Sequence, residues 1–313
     1  MAKVSICIPT YREARLFSTL LSSIQDQNFD NFEIIVSDDS PDNEIFKVVT
    51  ASPLVDKIHY YHNPVPLGSP QNWNKAVDYA CSEYIKIMHH DDSFSSTDAL
   101  ELFVKMLDEN PQSGLAFCDS VNCDPTGKIV SIHQPKEAQL YQLQCEPEIL
   151  YLGNFVGAPS ATIFRSNVEG RFDIRMKWLV DVDYYINVLK VTSPIIYTPK
   201  KLVKITAGAQ HQITQDCKYN FKVDVVEHLI LLDKIIENGA DTRIYIAKWQ
   251  KLFERYWITD ISKILSLYSC KQETINLIRV AMRRSRWCVI YRFPFYLYHF
   301  MRRQLIIRTT MKR

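Results

Sequence analysis

The sequence predicts an α/β protein: a mostly parallel central sheet flanked by helices, followed by a helical C-terminal extension. Two observations carry this. Short apolar runs alternate with amphipathic stretches through about the first 110 residues, a rhythm that gives parallel strands joined by right-handed crossovers. Beyond Tyr219 the pattern reads as mostly helical to the end.

Val4 to Ile8 is a short apolar run closed by Pro9, the signature of a strand buried on both faces. Arg12 to Gln27 places Leu16, Leu20, Leu21 and Ile24 on one helical face. Phe32 to Val36 is a second strand, ending at Ser37-Asp38-Asp39-Ser40, and residues 42–51 suit a helix. Ile58 to His62 is a third strand that runs into a Pro/Gly loop, and Asn72 to Cys81 suits the next helix. Tyr84 to Met88 is a fourth strand, running into His89-His90-Asp91-Asp92. Ser96 is placed to cap a helix with the stripe Leu100, Phe103, Val104 and Leu107. After residue 114 a hairpin is expected: Leu115 to Val121, a turn at 124–127, then Ile129 to His133. Gly157 to Phe164 reads as a strand, and Leu179 to Val191 as a helix opening with Asp181 and Asp183. In open parallel sheets ligands bind beyond the carboxyl ends of the strands. Three such ends here carry polar clusters: residues 9–13, 37–39 and 89–92.

Composition narrows the function. Only eight glycines occur, where average usage gives roughly twenty. The closest pair is Gly153 and Gly157, so no GxGxxG fingerprint exists; the single Gly-Lys step, Gly127-Lys128, lacks the upstream glycine of a phosphate-binding loop. Any nucleotide is held another way. The eight cysteines form no CxxC pair and read as buried thiols, not as a zinc site or disulfide scaffold. Met1-Ala2-Lys3 runs straight into an apolar stretch ended by Pro9, so no signal peptide is expected, and no run of 18 uncharged apolar residues predicts a spanning helix. The formal charge of +2 conceals an asymmetry: residues 274–313 hold ten Lys/Arg and no acid, leaving −8 on the first 273. Arg alternates there with Trp, Tyr and Phe, which predicts interfacial helices on an anionic membrane. RNA binding and a plain helical bundle are the rival readings.

Each acidic pair has a bland and a sharp reading. Asp91-Asp92 is either a capped turn or a site for a hard divalent cation that bridges to phosphates. Asp38-Asp39 is either an Asx-turn or a grip on a base N3–H and ribose hydroxyls. Asp181 and Asp183 either cap a helix or place one carboxylate in a cleft as a general base.

Taken together, Val4 to Glu13, Ile34 to Asp42, Gly68 with Asn72-Trp73-Asn74, and Tyr84 to Asp92 resemble the inverting family-2 glycosyltransferases. Phe172-Asp173 through Asp181-Val182-Asp183-Tyr184-Tyr185 is similar to a later segment of that family, so the resemblance spans about residues 3–215. It implies a GT-A, Rossmann-like fold. Domains of 1–215 (a nucleotide-sugar half to about 112, an acceptor half from 113) and 216–313 are expected. By position, the resemblance implies that Pro9, Thr10, Tyr11 and Glu13 line the nucleoside pocket and that Asp38 and Asp39 hold base and ribose. Asp91 and Asp92 would bind Mn²⁺ or Mg²⁺, and Asp181 would be the catalytic base. Asn72, His89, Asp183 and His211 are further candidates. Three positions depart from the family: His89 replaces an Asp, Arg12 an Asn and Val180 a Glu.

The expected reaction is transfer of a sugar, with inversion, from a nucleotide-sugar donor to a lipid-linked glycan of bacterial O-antigen or capsule assembly. UDP-sugar is the expected donor, with dTDP- and GDP-sugars open, and no nucleic-acid partner is expected. The expected location is cytoplasmic, peripheral on the inner face of the membrane. The alternatives are a non-catalytic sugar-nucleotide-binding scaffold and a nucleotidyltransferase.

Overall fold

A computed structural model describes residues 1–168, 170–208, 217, 220–237, 239 and 242–285. It divides into two compact units, Met1–Val223 and Asp224–Arg313.

In the first unit the described strands are β1 (Val4–Thr10), β2 (Phe32–Asp38), β3 (Ile58–His62), β4 (Tyr84–Ile87), β5 (Ser93–Phe94), β6 (Leu115–Cys123), β7 (Ile129–His133), β8 (Thr162–Arg165) and β9 (Ile196–Thr206). They form one sheet in the order β3-β2-β1-β4-β8-β6-β9-β5, with β7 paired to β6. The strands β3, β2, β1 and β4 are mutually parallel. β8 runs antiparallel to β4 and β6, and β5 antiparallel to β9, so the far half of the sheet is mixed. The helices are α1 (Ala14–Gln25), α2 (Glu44–Ala51), α3 (Ser69–Asp78), α4 (Ala99–Asp108), α5 (Glu137–Cys145) and α6 (Val180–Val191).

The alternation along β1 explains the layering. Val4, Ile6 and Ile8 join Phe17, Leu20 and Ile24 of α1 and Leu100 and Phe103 of α4 in one core. Cys7 points to the other face, where its thiol donates to the Ala76 carbonyl of α3 at 3.5 Å. Every β1 residue is buried, as a strand covered on both faces must be. Full burial of each such aliphatic side chain stabilises the fold by about 1.5–3 kcal/mol relative to exposure. One interior position breaks the apolar rule. Lys86 on β4 is fully buried, its ammonium donating to the Ser160 carbonyl and lying 4.4 Å above the Phe103 ring. Burial pushes its pKa down to about 7.

β1 is where the strand order reverses, with β2 and β3 on one side and β4 on the other. At such a reversal the following loops diverge and leave a crevice at the strand ends. This is the feature of the fold that positions the site.

Among the described residues the expected elements are present, with four differences. The helix at 96–107 starts at Ala99 with Asp98, not Ser96, at its N-cap position; Ser96 instead donates to Asp98 Oδ1 at 2.6 Å. The helix expected from Asn72 begins at Ser69, because Pro70 fits the first turn. Residues Pro159–Ala161 form a short 3-10 turn, leaving only Thr162–Arg165 as strand. Finally, β9, β5 and α5 were not foreseen. β9 pairs with β6 at both ends, and the register shifts where Pro199, Lys200 and Lys201 lie at its centre.

The second unit is helical: α7 (Phe221–Glu237, beginning at the unit boundary), α8 (Ile246–Arg255), the short α9 (Ser262–Leu265) and a helix over 272–285. Trp249 is fully buried within it. The buried Asp224 carboxylate accepts from Arg255 Nη1 at 2.9 Å and from the Tyr256 hydroxyl at 2.7 Å. Among the described residues no helix is long and apolar enough to cross a membrane. Most of the basic-aromatic tail, residues 286–313, lies outside the described residues.

Candidate active site

The site begins where β1 and β2 end. Their parallel register sets Thr10 opposite Asp38, and the Thr10 hydroxyl donates to Asp38 Oδ1 at 2.9 Å. Asp38 is fully buried. Oδ1 also accepts the Ser40 N–H at 2.9 Å, and Oδ2 accepts the Tyr60 hydroxyl at 2.7 Å. Asp38 thus ties three segments together and does not reach the cleft. Its neighbour does. Asp39 Oδ2 accepts the Gly68 N–H at 2.9 Å, and Oδ1 accepts from Asn63 Nδ2 at 2.9 Å. Asn63 also donates to Asn72 Oδ1 at 3.2 Å, and Asn72 donates to the Thr10 carbonyl at 3.2 Å. A buried polar chain of this kind fixes each member, because no water competes for the bonds.

At the end of β4 the chain turns through His89-His90-Asp91-Asp92. The Asp92 N–H closes the turn on the His89 carbonyl at 3.0 Å. Two distant segments hold it. Ser160 Oγ accepts the His89 N–H at 3.0 Å. From β9, the Thr206 N–H donates to Asp92 Oδ1 at 3.1 Å and the Thr206 hydroxyl to the Asp91 carbonyl. The His89 ring packs 4.8 Å from that of Trp73, and its Nδ1 lies 3.9 Å from Asp92 Oδ2. One donor atom from each of His89, Asp91 and Asp92 lies within 4.8 Å of the others. Burial, then the nearby Asp91 charge, holds the Asp92 carboxyl well above the usual carboxylate range. Burial pushes the His89 imidazole down to about 4, so the ring is neutral at pH 7. Asp92 Oδ2 and His89 Nε2 are buried with no hydrogen-bond partner among the described residues. Orphaned, electron-rich atoms of this kind fit a divalent cation, whose charge would remove the cost of packing two carboxylates together.

The third contribution comes from the first turn of α6, where the helix dipole favours a carboxylate. Asp181 Oδ2 accepts from Asn154 Nδ2 at 2.7 Å and Oδ1 accepts the Val182 N–H at 2.8 Å. Asn154 is itself fixed, its Oδ1 accepting the N–H groups of Val156 (3.1 Å) and Gly157 (2.9 Å).

These pieces surround one cleft of about 620 Å³. Pro9, Thr10, Tyr11, Asp39, Asn72, His89, Asp91, Asp92 and Asp181 all line it. Three expected residues do not. Asp38 is consumed by the bonds above. Glu13 is exposed at the α1 N-terminus, in a left-handed conformation (φ 53°, ψ 43°). Asp183 is buried, 1% exposed, because two residues along a helix turns it away from Asp181. His211 lies outside the described residues. The cleft also has walls that sequence reasoning did not assign: Trp73, Asn122, Lys177, Trp178 and Thr206. Lys177-Trp178 could have been found by its closeness to Asp181. Asn122 and Thr206 carried no signal, since one sits inside a hairpin strand and the other at the end of the unforeseen β9.

Comparison with known proteins identifies the family and the fold. The family model described as glycosyl transferase family 2 matches residues 5–169. A glucosyltransferase of Campylobacter jejuni, named for its GalNAc(5)-diNAcBac-PP-undecaprenol acceptor, is 34% identical over 98 residues, 31% of this chain and 32% of its own length. The matched stretches span no more than 66% of the first curated relatives. Among solved structures, Staphylococcus aureus TarS 1-349 with UDP-GlcNAc has a TM-score of 0.60 at 20% identity, covering 90% of this chain and 80% of that one. The mannosyltransferase PcManGT from Pyrobaculum calidifontis, with GDP-Man and Mn²⁺, has a TM-score of 0.56 at 16% identity, covering 96% and 82%. These likenesses establish the GT-A fold. With more than half of its length matched by the family model, the chain belongs to glycosyl transferase family 2.

Proposed function

We propose that this protein transfers a sugar, with inversion, from a nucleotide-sugar donor to a lipid-linked glycan acceptor. The observation that carries the reading is the single cleft in which Asp39, the His89–Asp92 turn and Asp181 face one another in a family-2 chain. The lipid-linked acceptor in the name of the Campylobacter relative supports the acceptor class, and O-antigen or capsule assembly is the corresponding setting. The nucleotides in the two structural neighbours support a nucleoside diphosphate donor, UDP before others.

In this reading Pro9, Thr10 and Tyr11 form the wall against the nucleoside, and Asp39 accepts from the base or ribose. Asp38 serves them indirectly, by fixing Thr10 and Ser40. His89, Asp91 and Asp92 would hold Mn²⁺ or Mg²⁺. Such a cation offsets charge on a departing diphosphate when bound. Asp181 removes the acceptor proton as the acceptor oxygen attacks the anomeric carbon; the bond to the diphosphate oxygen breaks on the opposite face. Asn154 keeps that carboxylate aimed into the cleft. One displacement needs one base and no enzyme nucleophile. Binding of the basic, aromatic 274–313 segment to anionic membrane belongs to the same proposal, and the ten cations without an acid support it.

The test is donor turnover across UDP-, dTDP- and GDP-sugars with Mn²⁺, the product's anomeric configuration being read by NMR. Asp181→Asn is expected to lose about 10²–10⁴ in kcat while UDP still binds. Turnover of no donor, or retained activity in Asp181→Asn, refutes the reading.

A further inference from the structure

We infer that Lys86 is a positioning residue for the transfer reaction. From inside the core it fixes the corner at residues 157–160, and through that corner it sets the spacing between the acidic turn after β4 and Asp181. The inference rests on the glycosyltransferase reading, in which the turn faces the donor diphosphate and Asp181 the acceptor hydroxyl.

The starting point is a cation where an apolar side chain is the rule. Lys86 is 0% exposed within β4, between Ile85 and Ile87. Taking an ammonium out of water costs more than one hydrogen bond returns, and a methionine would fill similar volume without that cost. The rings of Phe103 (4.4 Å) and Phe94 (5.7 Å) beside the ammonium offset part of it. What the nitrogen does that a thioether cannot is donate to the Ser160 carbonyl. A neutral amine keeps N–H donors for the same carbonyl, so the brace holds in either protonation state.

Ser160 is also 0% exposed, and β4 and its turn hold it twice. Its carbonyl accepts from Lys86, and its Oγ accepts the His89 N–H at 3.0 Å. It closes a short corner whose Ala158 and Pro159 line the cleft. At the other end of that corner the Gly157 carbonyl accepts from Asn154 Nδ2 at 3.0 Å and from the Tyr185 hydroxyl of α6 at 3.1 Å. Asn154 Nδ2 also donates to Asp181 Oδ2 at 2.7 Å. The contacts therefore run from β4 through Ser160 and the corner to Asn154 and the base. Energetic coupling travels through such chains of bonded and packed groups. Lys86 is not among the residues that line the cleft, so any effect it has on the reaction passes through these groups.

The experiment uses the full chain with Mn²⁺ and the nucleotide sugar that the wild type turns over. Steady-state kinetics, calorimetric UDP titrations and urea melts are run on each variant. In Lys86→Met, kcat is expected to fall about ten- to a hundredfold through misplacement of the reacting groups, with donor KM and UDP Kd within about twofold. In the double variant with Asn154→Ala, the combined loss in kcat should be smaller than the product of the single losses by about threefold or more, because both changes break one chain. Ser160→Ala keeps the carbonyl that Lys86 binds, removes the acceptor for His89, and should show the same split between kcat and KM. A merely structural lysine would lower the urea midpoint and leave kcat per folded molecule unchanged. That result, a loss carried by UDP Kd, or single losses that multiply in the double variant each overturn the inference. Should Lys86→Met fail to fold, the cycle of Ser160→Ala with Asn154→Ala decides it by the same criteria. A wild type that turns over no donor refutes the glycosyltransferase reading, and this inference with it. Sugar transfer that is as fast in Lys86→Met as in the wild type refutes this inference alone.

Discussion

Gly68 gives the sharpest stability prediction, because its geometry isolates one physical cause. Its backbone sits at φ 82°, ψ 165°, a region that is essentially glycine-only. A Cβ built there meets nothing within 4 Å. Crowding is therefore excluded, and backbone strain of about 1–3 kcal/mol is the whole expected cost of Gly68→Ala. For a unit of this size each kcal/mol moves Tm by about 2–4 °C, so a fall of roughly 2–12 °C follows. Gly153 is the internal control. Its Cβ would also have open space, but its φ of 172° is ordinary extended backbone. Gly153→Ala should hold stability or gain about 0.4–1 kcal/mol by restricting the unfolded chain. The two alanines thus add the same atom in equally empty surroundings with opposite results. Strain at residue 68 also tilts the N–H that Asp39 Oδ2 accepts, so UDP affinity should fall in Gly68→Ala and not in Gly153→Ala. Thermal melts and calorimetric UDP titrations check both. Equal Tm values for the two variants, or a larger loss in Gly153→Ala, would refute the reasoning.

Three further outcomes follow. Asp38→Asn and Asp39→Asn should both lower the urea midpoint, because each buried carboxylate loses acceptor capacity toward its partners, and Asp39→Asn should raise the UDP Kd more than Asp38→Asn does, since Asp39 is the one of the pair that lines the cleft. Asn154→Ala removes the hydrogen bond to Asp181 Oδ2 without touching Pro9, Thr10 or Tyr11, so kcat should fall about tenfold or more while donor KM stays within about twofold. Lys86 has a folded pKa depressed to about 7. Between there and the ordinary lysine value the unfolded chain binds the extra proton, so this group makes stability rise with pH, by about 1.4 kcal/mol per pH unit. Urea melts of metal-free protein at pH 7 to 10 should show that slope in the wild type and its loss in Lys86→Met; parallel slopes would disprove it.

The parallel half of the sheet was legible because its strands are short, apolar and punctuated by Pro9, Asp38 and His89, and local pattern suffices for such strands. The mixed half was less so. β9 has only Leu202 and Val203 fully buried along eleven residues. With a proline and two lysines at its centre, neither alternation nor an apolar run marks it, and its place is set by pairing with β6. The same division holds for the site. The strand-end carboxylates were readable in sequence, but which member of each pair faces the cleft was not. Asp38 and Asp39 are adjacent and chemically identical; the opposition of Thr10 in the register and the reach of Tyr60 turn one inward. Likewise helical spacing said that Asp181 and Asp183 diverge, and only the position of Asn154 settles which one is held at the cleft wall.

The clasp that Thr206 places on Asp91 and Asp92 has a consequence for how the protein is assembled and re-engineered. The acidic turn is finished by a residue 114 positions downstream of Asp92, on a strand that enters the sheet only after α6 has been made. A chain released or cut before residue 206 would carry every carboxylate of the turn and still lack the two bonds that Thr206 gives it. Residues 1–112 are therefore not a portable donor-binding cassette. A chimera that exchanges the later segment would also replace the fastener of its own acidic turn, so the strand end at Thr206 has to travel with the first 112 residues.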